Sequence, residues 1–161
     1  IMRNIAPEQE KIQGEERISV MVNRLKEEGY RLTPQRMAVL KVLATSREHP
    51  RIDSIYEQVK QEFPMTSLAT IYKTVTVLKD VGEVAELYFG DDCSRYDASD
   101  PLPHPHLVCT RCKRVLDIEI PPQNDLEEEI GSIYGYKVMS HRMDFFGLCP
   151  ECQESDRSNG K

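Results

Sequence analysis

Residues 67–96 read SLATIYKTVTVLKDVGEVAELYFGDDCSRY, and this stretch decides the fold. Ser67 is a hydroxyl N-cap, and Leu68, Ile71, Val75 and Leu78 recur at the three-and-four spacing of an amphipathic helix that Gly82 closes. Val84 to Phe89 then changes to a short strand-like run, Gly90-Asp91-Asp92 signals a turn, and Ser94 to Tyr96 returns as a second strand. A helix leading into a hairpin is the end of a winged helix-turn-helix, in which one helix enters a nucleic-acid groove and the hairpin touches the backbone. On that reading Thr70, Tyr72, Lys73, Thr74 and Thr76 face outward, all able to bond phosphate or base edges. An ordinary solvated helix face explains the same pattern equally well.

The segments upstream supply the remaining helices. Ile18, Met21, Val22 and Leu25 repeat at helical spacing until Gly29, whereas residues 2–16 are polar, lack a clear period and are expected to form a loose arm or frayed first turn. Thr33-Pro34 is a strong helix start, with Val39, Leu40 and Leu43 as its buried face. Pro50 interrupts the chain after His49, and Ile52, Ile55, Tyr56 and Val59 mark a third helix that Pro64 ends. Downstream, Pro101 and Pro103 mark a linker. Leu107-Val108, Val115 to Ile120, Tyr136 to Met139 and Phe145-Phe146 read as strands, and the acidic stretch 124–134 as a helix between them. The fold class is therefore α+β, a winged helix-turn-helix followed by a small α/β unit whose sheet could pair across a two-fold axis.

Bulk composition fits this division. The 161 residues are 39% hydrophobic and 30% charged, with a net charge of −6. Residues 1–89 carry 13 basic and 13 acidic side chains, so the acidic excess lies wholly in the second half. A neutral first half can still present a basic face to phosphate, because contact depends on local placement of cations. No apolar run approaches a membrane span and no signal-peptide core is present, so a cytoplasmic protein without a membrane partner is expected.

Cys109-Thr110-Arg111-Cys112 and Cys149-Pro150-Glu151-Cys152 form two CxxC knuckles. Two residues between thiolates let both sulfurs reach one ion, and four soft ligands complete the tetrahedron that Zn²⁺ requires, leaving no open position. Redox dithiols or unrelated buried cysteines are the competing readings, but matched knuckles favour structural zinc. A second set has harder donors. His104 and His106 lie two apart on an extended segment and so share a side. With Asp97, Asp117 and His49 they would suit Fe²⁺, Mn²⁺ or Zn²⁺. Asp117 reads equally as a strand-end residue and His49 as a residue entering a helix. His141 reads as a satisfied sheet residue in preference to an accessory ligand with Glu119 or Asp144, and Cys93 as a bland thiol near the hairpin turn.

Arg31-Leu-Thr-Pro-Gln-Arg36, His49-Pro50 and Ala69-Thr-Ile-Tyr-Lys73 together resemble the DNA-binding half of the ferric uptake regulator (Fur) family. His104-x-His106-x-x-Cys109-x-x-Cys112 and Gly147-x-Cys149-x-x-Cys152 are similar to its dimerisation half, so the resemblance runs from about residue 18 to 152. It implies a homodimeric, metal-dependent transcriptional repressor on palindromic double-stranded operator DNA, and not an enzyme. The implied domains are a winged-helix DNA-binding domain over 1–96, a hinge with metal ligands over 97–105, and a dimerisation and metal-binding domain over 106–161. The implied ligands are Cys109, Cys112, Cys149 and Cys152 for structural Zn²⁺, and His49, Asp97, His104, His106 and Asp117 for a regulatory Fe²⁺ or Mn²⁺. Arg31, Thr33, Gln35, Arg36, Thr70, Tyr72 and Lys73 are the implied DNA contacts.

Asp97 and Asp117 are aspartates where iron-sensing members often carry glutamate, so the chain looks most like the peroxide-sensing PerR branch. That branch implies oxidation of His49 or His104, with peroxide as the one small molecule besides metal ions. Against it, Asp97 and His104 are one residue further apart than in the peroxide-sensing pattern and closer to iron sensors. Pro103 and Pro105 replace side chains that build a further site in some of those members. Iron sensing without peroxide chemistry is the alternative. A mononuclear metal hydrolase would need a positioned base and cleft that no motif here supplies. It would also leave the helix-hairpin half unexplained. A zinc-ribbon adaptor binding only protein is the third option, which specific retention on a palindromic duplex would exclude.

Overall fold

The structure is a computed structural model, and it describes residues 7–46, 48–90, 94–121 and 125–159. The chain divides into two compact units between Pro101 and Leu102. The first contains α1 (Pro7–Glu27), α2 (Pro34–Thr45), α3 (Ile52–Glu62), α4 (Leu68–Asp80), β1 (Ala85–Tyr88) and β2 (Ser94–Asp97). Thr33 caps α2 by accepting the Arg36 N–H at 3.2 Å, with Pro34 at the first helical position, and Ser67 caps α4 by accepting the Thr70 N–H at 3.2 Å. Each cap satisfies a backbone donor that the first turn leaves without a partner. β1 and β2 pair antiparallel with Ala85 opposite Asp97 and Tyr88 opposite Ser94, forming the hairpin of a winged helix-turn-helix.

The four helices bury Met21, Leu25, Val39, Leu40, Leu43, Ile55, Val59, Ile71, Val75 and Leu78 in one core, which Val84, Tyr96 and Ala98 extend to the hairpin. Two residues of α4 depart from the periodicity. Leu68, the first residue of α4, is 39% exposed. Thr74 is buried, its hydroxyl donating to the Thr70 carbonyl at 2.9 Å, so a residue expected to face outward instead has its polar atom satisfied within the helix. The loose arm expected over 2–16 is also corrected. Residues 2–6 lie outside the described set, but from Pro7 the chain is helical and continuous with α1. Tertiary contacts hold it where apolar periodicity is weak. Gly14 is buried, with space for its missing Cβ closed by Thr45. Arg17 donates to the Glu83 carboxylate at 2.6 Å, to the Glu83 carbonyl at 2.7 Å and to the Ala98 carbonyl.

The second unit contains β3 (His106–Cys109), β4 (Val115–Asp117), α5 (Leu126–Tyr134), β5 (Asp144–Gly147) and α6 (Pro150–Asn159). Its sheet has the order β4-β3-β5, with β4 antiparallel and β5 parallel to the central strand. The interior is thin, with Val108, Cys109, Val115 and Cys152 as its buried apolar residues among those described. The strand expected at Tyr136 to Met139 is absent. Gly135 takes a left-handed φ of 72°, the Tyr136 N–H returns to the Gly131 carbonyl at 3.1 Å, and the segment continues without strand pairing. β4 likewise ends at Asp117 and does not reach Ile120. α6 lacks the apolar stripe that would announce a helix; Pro150 starts it and the Gln153 N–H closes on the Cys149 carbonyl at 3.0 Å. No helix among the described residues is long and apolar enough to cross a membrane.

Candidate metal centres

The knuckles converge as their spacing requires. Cys109 ends β3, and a tight turn through Lys113 at φ 64° carries the chain back into β4, bringing Cys112 beside it. Cys149 directly precedes α6 and Cys152 lies in its first turn. One sulfur from each of the four falls within 4.8 Å of the others, and none is in a disulfide. Cys112 Sγ and Cys149 Sγ are 3.7 Å apart. A tetrahedral ion with Zn–S bonds of about 2.3 Å has edges of about 3.8 Å, so the cluster suits zinc without rearrangement.

The surroundings favour thiolate at one of these sulfurs. The Cys149 N–H donates to Cys109 Sγ at 3.4 Å, and this bond with those from the Cys112 and Arg111 backbone lowers the Cys109 pKa to about 5. Cys152 is pushed up to about 12, by its contact with Cys149 first and by burial second, as expected where several sulfurs share a small volume. Two arginines bind the knuckles from outside: Arg114 holds Glu151 through bonds of 3.0 and 2.9 Å, and Arg111 donates to the Cys152 carbonyl at 2.8 Å. Nothing in the CxxC pattern announces these clasps.

The harder donors occur in both units. In the first, His49 and Asp97 are buried with Nδ1 and Oδ1 3.7 Å apart. Asp97 Oδ1 accepts the Ser99 N–H at 2.8 Å and the Asp100 N–H at 3.3 Å, which fixes its carboxylate at the end of β2. His49 has a positive φ of 45°, a conformation that costs roughly 1–3 kcal/mol for a residue with a side chain. The Tyr96 N–H to Pro50 carbonyl bond of 3.1 Å joins this strained turn to β2.

In the second unit His104 Nε2 lies 3.0 Å and His106 Nε2 3.8 Å from the same Asp117 oxygen. Their rings are 4.4 Å apart and tilted. The register explains the convergence, since His106 stands opposite Asp117 across β3 and β4. Two imidazole nitrogens and a carboxylate at these separations match the ligand edges of a borderline divalent ion with bonds near about 2.1 Å. His141 is not in the sheet. It sits in the loop before β5 and pairs with Glu127 at 2.9 Å. Cys93 lies outside the described residues.

On α4, Tyr72 is 51% exposed and Lys73 is exposed, while the Thr70 hydroxyl is within 3.0 Å of Ser67 Oγ. Near α2, Arg31 is exposed and Gln35 half-buried. The Thr33 hydroxyl is occupied as a cap, and Arg36 bonds the Arg31 carbonyl with its guanidinium 5.8 Å from the Tyr30 ring centre.

Residues 27–146 match the Ferric uptake regulator family. The chain belongs to that family. It is 39% identical over 140 residues to the peroxide-responsive repressor PerR of Staphylococcus saprophyticus, spanning 87% of this chain and 94% of the relative. The Helicobacter pylori ferric uptake regulator Fur, described with three functional metal-binding sites, superposes with a TM-score of 0.74 at 26% identity, over 89% of this chain and 95% of that one. The Campylobacter jejuni peroxide stress regulator gives 0.62 at 32% identity, over 81% and 98%.

Proposed function

We propose that this member of the ferric uptake regulator family is a homodimeric, metal-dependent repressor of palindromic operator DNA that senses peroxide. Its four knuckle cysteines hold a structural Zn²⁺. His49, Asp97, His104, His106 and Asp117 together hold one regulatory Fe²⁺ or Mn²⁺, with residues 97–105 as the hinge between a DNA-binding part (1–96) and a dimerisation part (106–161). The observation that carries this reading is the convergence of His104 and His106 on Asp117, apart from a complete four-cysteine cluster. One site has all the ligands that zinc needs, and the other offers nitrogen and oxygen donors suited to an exchangeable ion.

The DNA-reading role falls to α4 through Thr70, Tyr72 and Lys73, supported by Arg31, Thr33, Gln35 and Arg36 near α2. An ion held by ligands from both parts would stabilise one arrangement of the two, and with it one spacing of the paired reading helices. Self-association is supported by the apolar side chains that the second unit exposes: Ile133, Tyr134, Tyr136, Met139, Phe145 and Phe146 are 42–76% accessible.

Peroxide sensing is supported by aspartate at both carboxylate positions and by similarity to peroxide-responsive repressors. A bound Fe²⁺ would supply the electron that splits peroxide, and His49 and His104 are the imidazoles that take up the oxygen. His49 then has two weaknesses, an oxidisable ring and a strained backbone. The test is protein purified without oxygen, loaded with Fe²⁺ or Mn²⁺ and briefly exposed to peroxide. The iron form should gain about 16 Da, the mass of one oxygen, on the peptide with His49 or His104 and release operator DNA, while the manganese form keeps both its mass and its DNA. Unchanged histidines and retained binding in the iron form would leave iron sensing in its place.

A further inference from the structure

His106 is held from two sides by the strands that flank it. The antiparallel register places Asp117 opposite it on β4, and the parallel register places Asp144 opposite it on β5. Asp117 faces Nε2, whereas Asp144 Oδ1 lies 3.2 Å from Nδ1, on the other side of the ring. An ionised carboxylate only accepts hydrogen bonds, so the contact with Asp144 requires the proton to be on Nδ1. A neutral imidazole carries one proton, which leaves the Nε2 lone pair directed toward Asp117.

The Asp144 carboxylate is itself fixed. Its second oxygen accepts from Arg142 Nε at 2.6 Å, and its side chain is 15% exposed. His104 lies between two acceptors, its Nδ1 2.8 Å from the Leu102 carbonyl and its Nε2 3.0 Å from Asp117, so its neutral ring can donate to only one of them. Both rings present Nε2 on the Asp117 side. Histidine ligands to metals generally give their second N–H to such a partner, which sets the tautomer and the ring angle.

We propose that Asp144 is a positioning residue for the metal site of the second unit, holding His106 by Nδ1 so that Nε2 is the atom offered to the ion. The proposal rests on the reading of His104, His106 and Asp117 as ligands. Arg142 completes the device by fixing the carboxylate that fixes the ring. No sequence signal links Asp144 to His106, since the two are 38 residues apart and only the parallel pairing of β3 with β5 brings them together.

The test uses the full zinc-loaded chain. In metal-free regulatory sites, ¹⁵N NMR of the imidazoles should show His106 protonated at Nδ1 in the wild type, and the Asp144→Ala variant should lose that preference. Calorimetric titration with Mn²⁺ should show affinity about 10–100-fold weaker in Asp144→Ala. Asp144→Asn, which keeps an acceptor but loses the charge, should keep the tautomer and lose less affinity; it also serves if the alanine variant folds poorly. Zinc content and Tm should stay at wild-type values. A merely structural role would change those and leave the tautomer alone. Unchanged tautomer or unchanged Mn²⁺ affinity in Asp144→Ala would overturn the proposal. His106→Ala separates the two levels of the argument. If it binds Mn²⁺ like wild type, the ligand reading fails and the proposal falls with it. If it loses Mn²⁺ while Asp144→Ala does not, only the positioning role is wrong.

Discussion

The two compact units solve the problem of stability in opposite ways. The first buries Met21, Leu25, Leu40, Leu43, Ile55, Ile71 and Leu78 completely or almost so, and two of its helices, α2 and α4, start on side-chain caps. The second has four buried apolar residues among those described, two of them cysteines of the same cluster, and α5 buries none of its side chains. A unit of about sixty residues with so little interior cannot offset the ordering of its backbone by burial alone. The difference teaches that hydrophobic patterning reports the first unit, whereas ligand chemistry and an uncovered apolar face report the second.

Breaking the zinc cluster should therefore have the largest effect, and it should be confined to one unit. Cys149→Ser removes a ligand whose backbone N–H also bonds Cys109. Structural zinc sites supply roughly 10–16 kcal/mol of apparent binding energy, far more than the second unit's packing. The expected outcome is loss of zinc, loss of the dimer and collapse of NMR dispersion for residues beyond 102, with the signals of α1–α4 retained. A folded, zinc-free dimer would show that packing sustains the second unit after all.

A matched pair of truncations sharpens the contrast at a smaller scale. Leu40→Ala empties a fully buried position and should cost about 2–5 kcal/mol in the first unit, read from denaturant unfolding. Ile133→Ala on α5 removes a side chain that is 64% exposed, so the isolated chain should lose no more than about 0.5 kcal/mol. Its effect should appear instead as a weaker dimer in sedimentation equilibrium. Equal stability losses for the two would erase the distinction between the units.

The same contrast explains what the sequence made legible. Helix starts at Thr33-Pro34 and Ser67, the hairpin, and both CxxC knuckles depend on local chemistry, and each could be read from a few neighbouring residues. The misreadings have both distant and local causes. The early turns of α1 are held by Arg17 on Glu83 and Ala98, contacts over sixty residues away in sequence. Thr74 has the polarity of a surface residue, but a helix hydroxyl can bond the carbonyl four residues back and so be buried at little cost. Tyr136 to Met139 has strand-like composition and no strand to pair with among the described residues, so β propensity alone did not make it one. In the metal site, His104 and His106 were visible as a motif. Apart from the family resemblance, Asp117 could be separated from an ordinary strand end only by the β3–β4 register, and Asp144 could be linked to His106 only by the β3–β5 register.

Alkali should provide a further small test, and it should strike the first unit before the second. Tyr96 joins the hairpin to the core, with its hydroxyl 3.4 Å from Glu86 Oε1 and Glu86 also held by Lys79. Burial, followed by the nearby Glu86 charge, raises the Tyr96 pKa from 10.0 to about 12. The folded state therefore retains a proton that the unfolded chain gives up. Stability from this group is complete below pH 10 and is lost as pH rises toward 12. At about pH 11 the deficit should be about 1 kcal/mol. Zinc thiolates bear no proton to lose, so the cluster of the second unit has no corresponding weakness there; acid, which protonates its sulfurs, should release zinc instead. Unfolding of wild type and Tyr96→Phe followed at about pH 8 and about pH 11 checks the assignment. The variant should lose less stability than wild type between the two values, with the difference confined to the helical unit's transition. An equal loss in both proteins would place the alkaline sensitivity elsewhere than Tyr96.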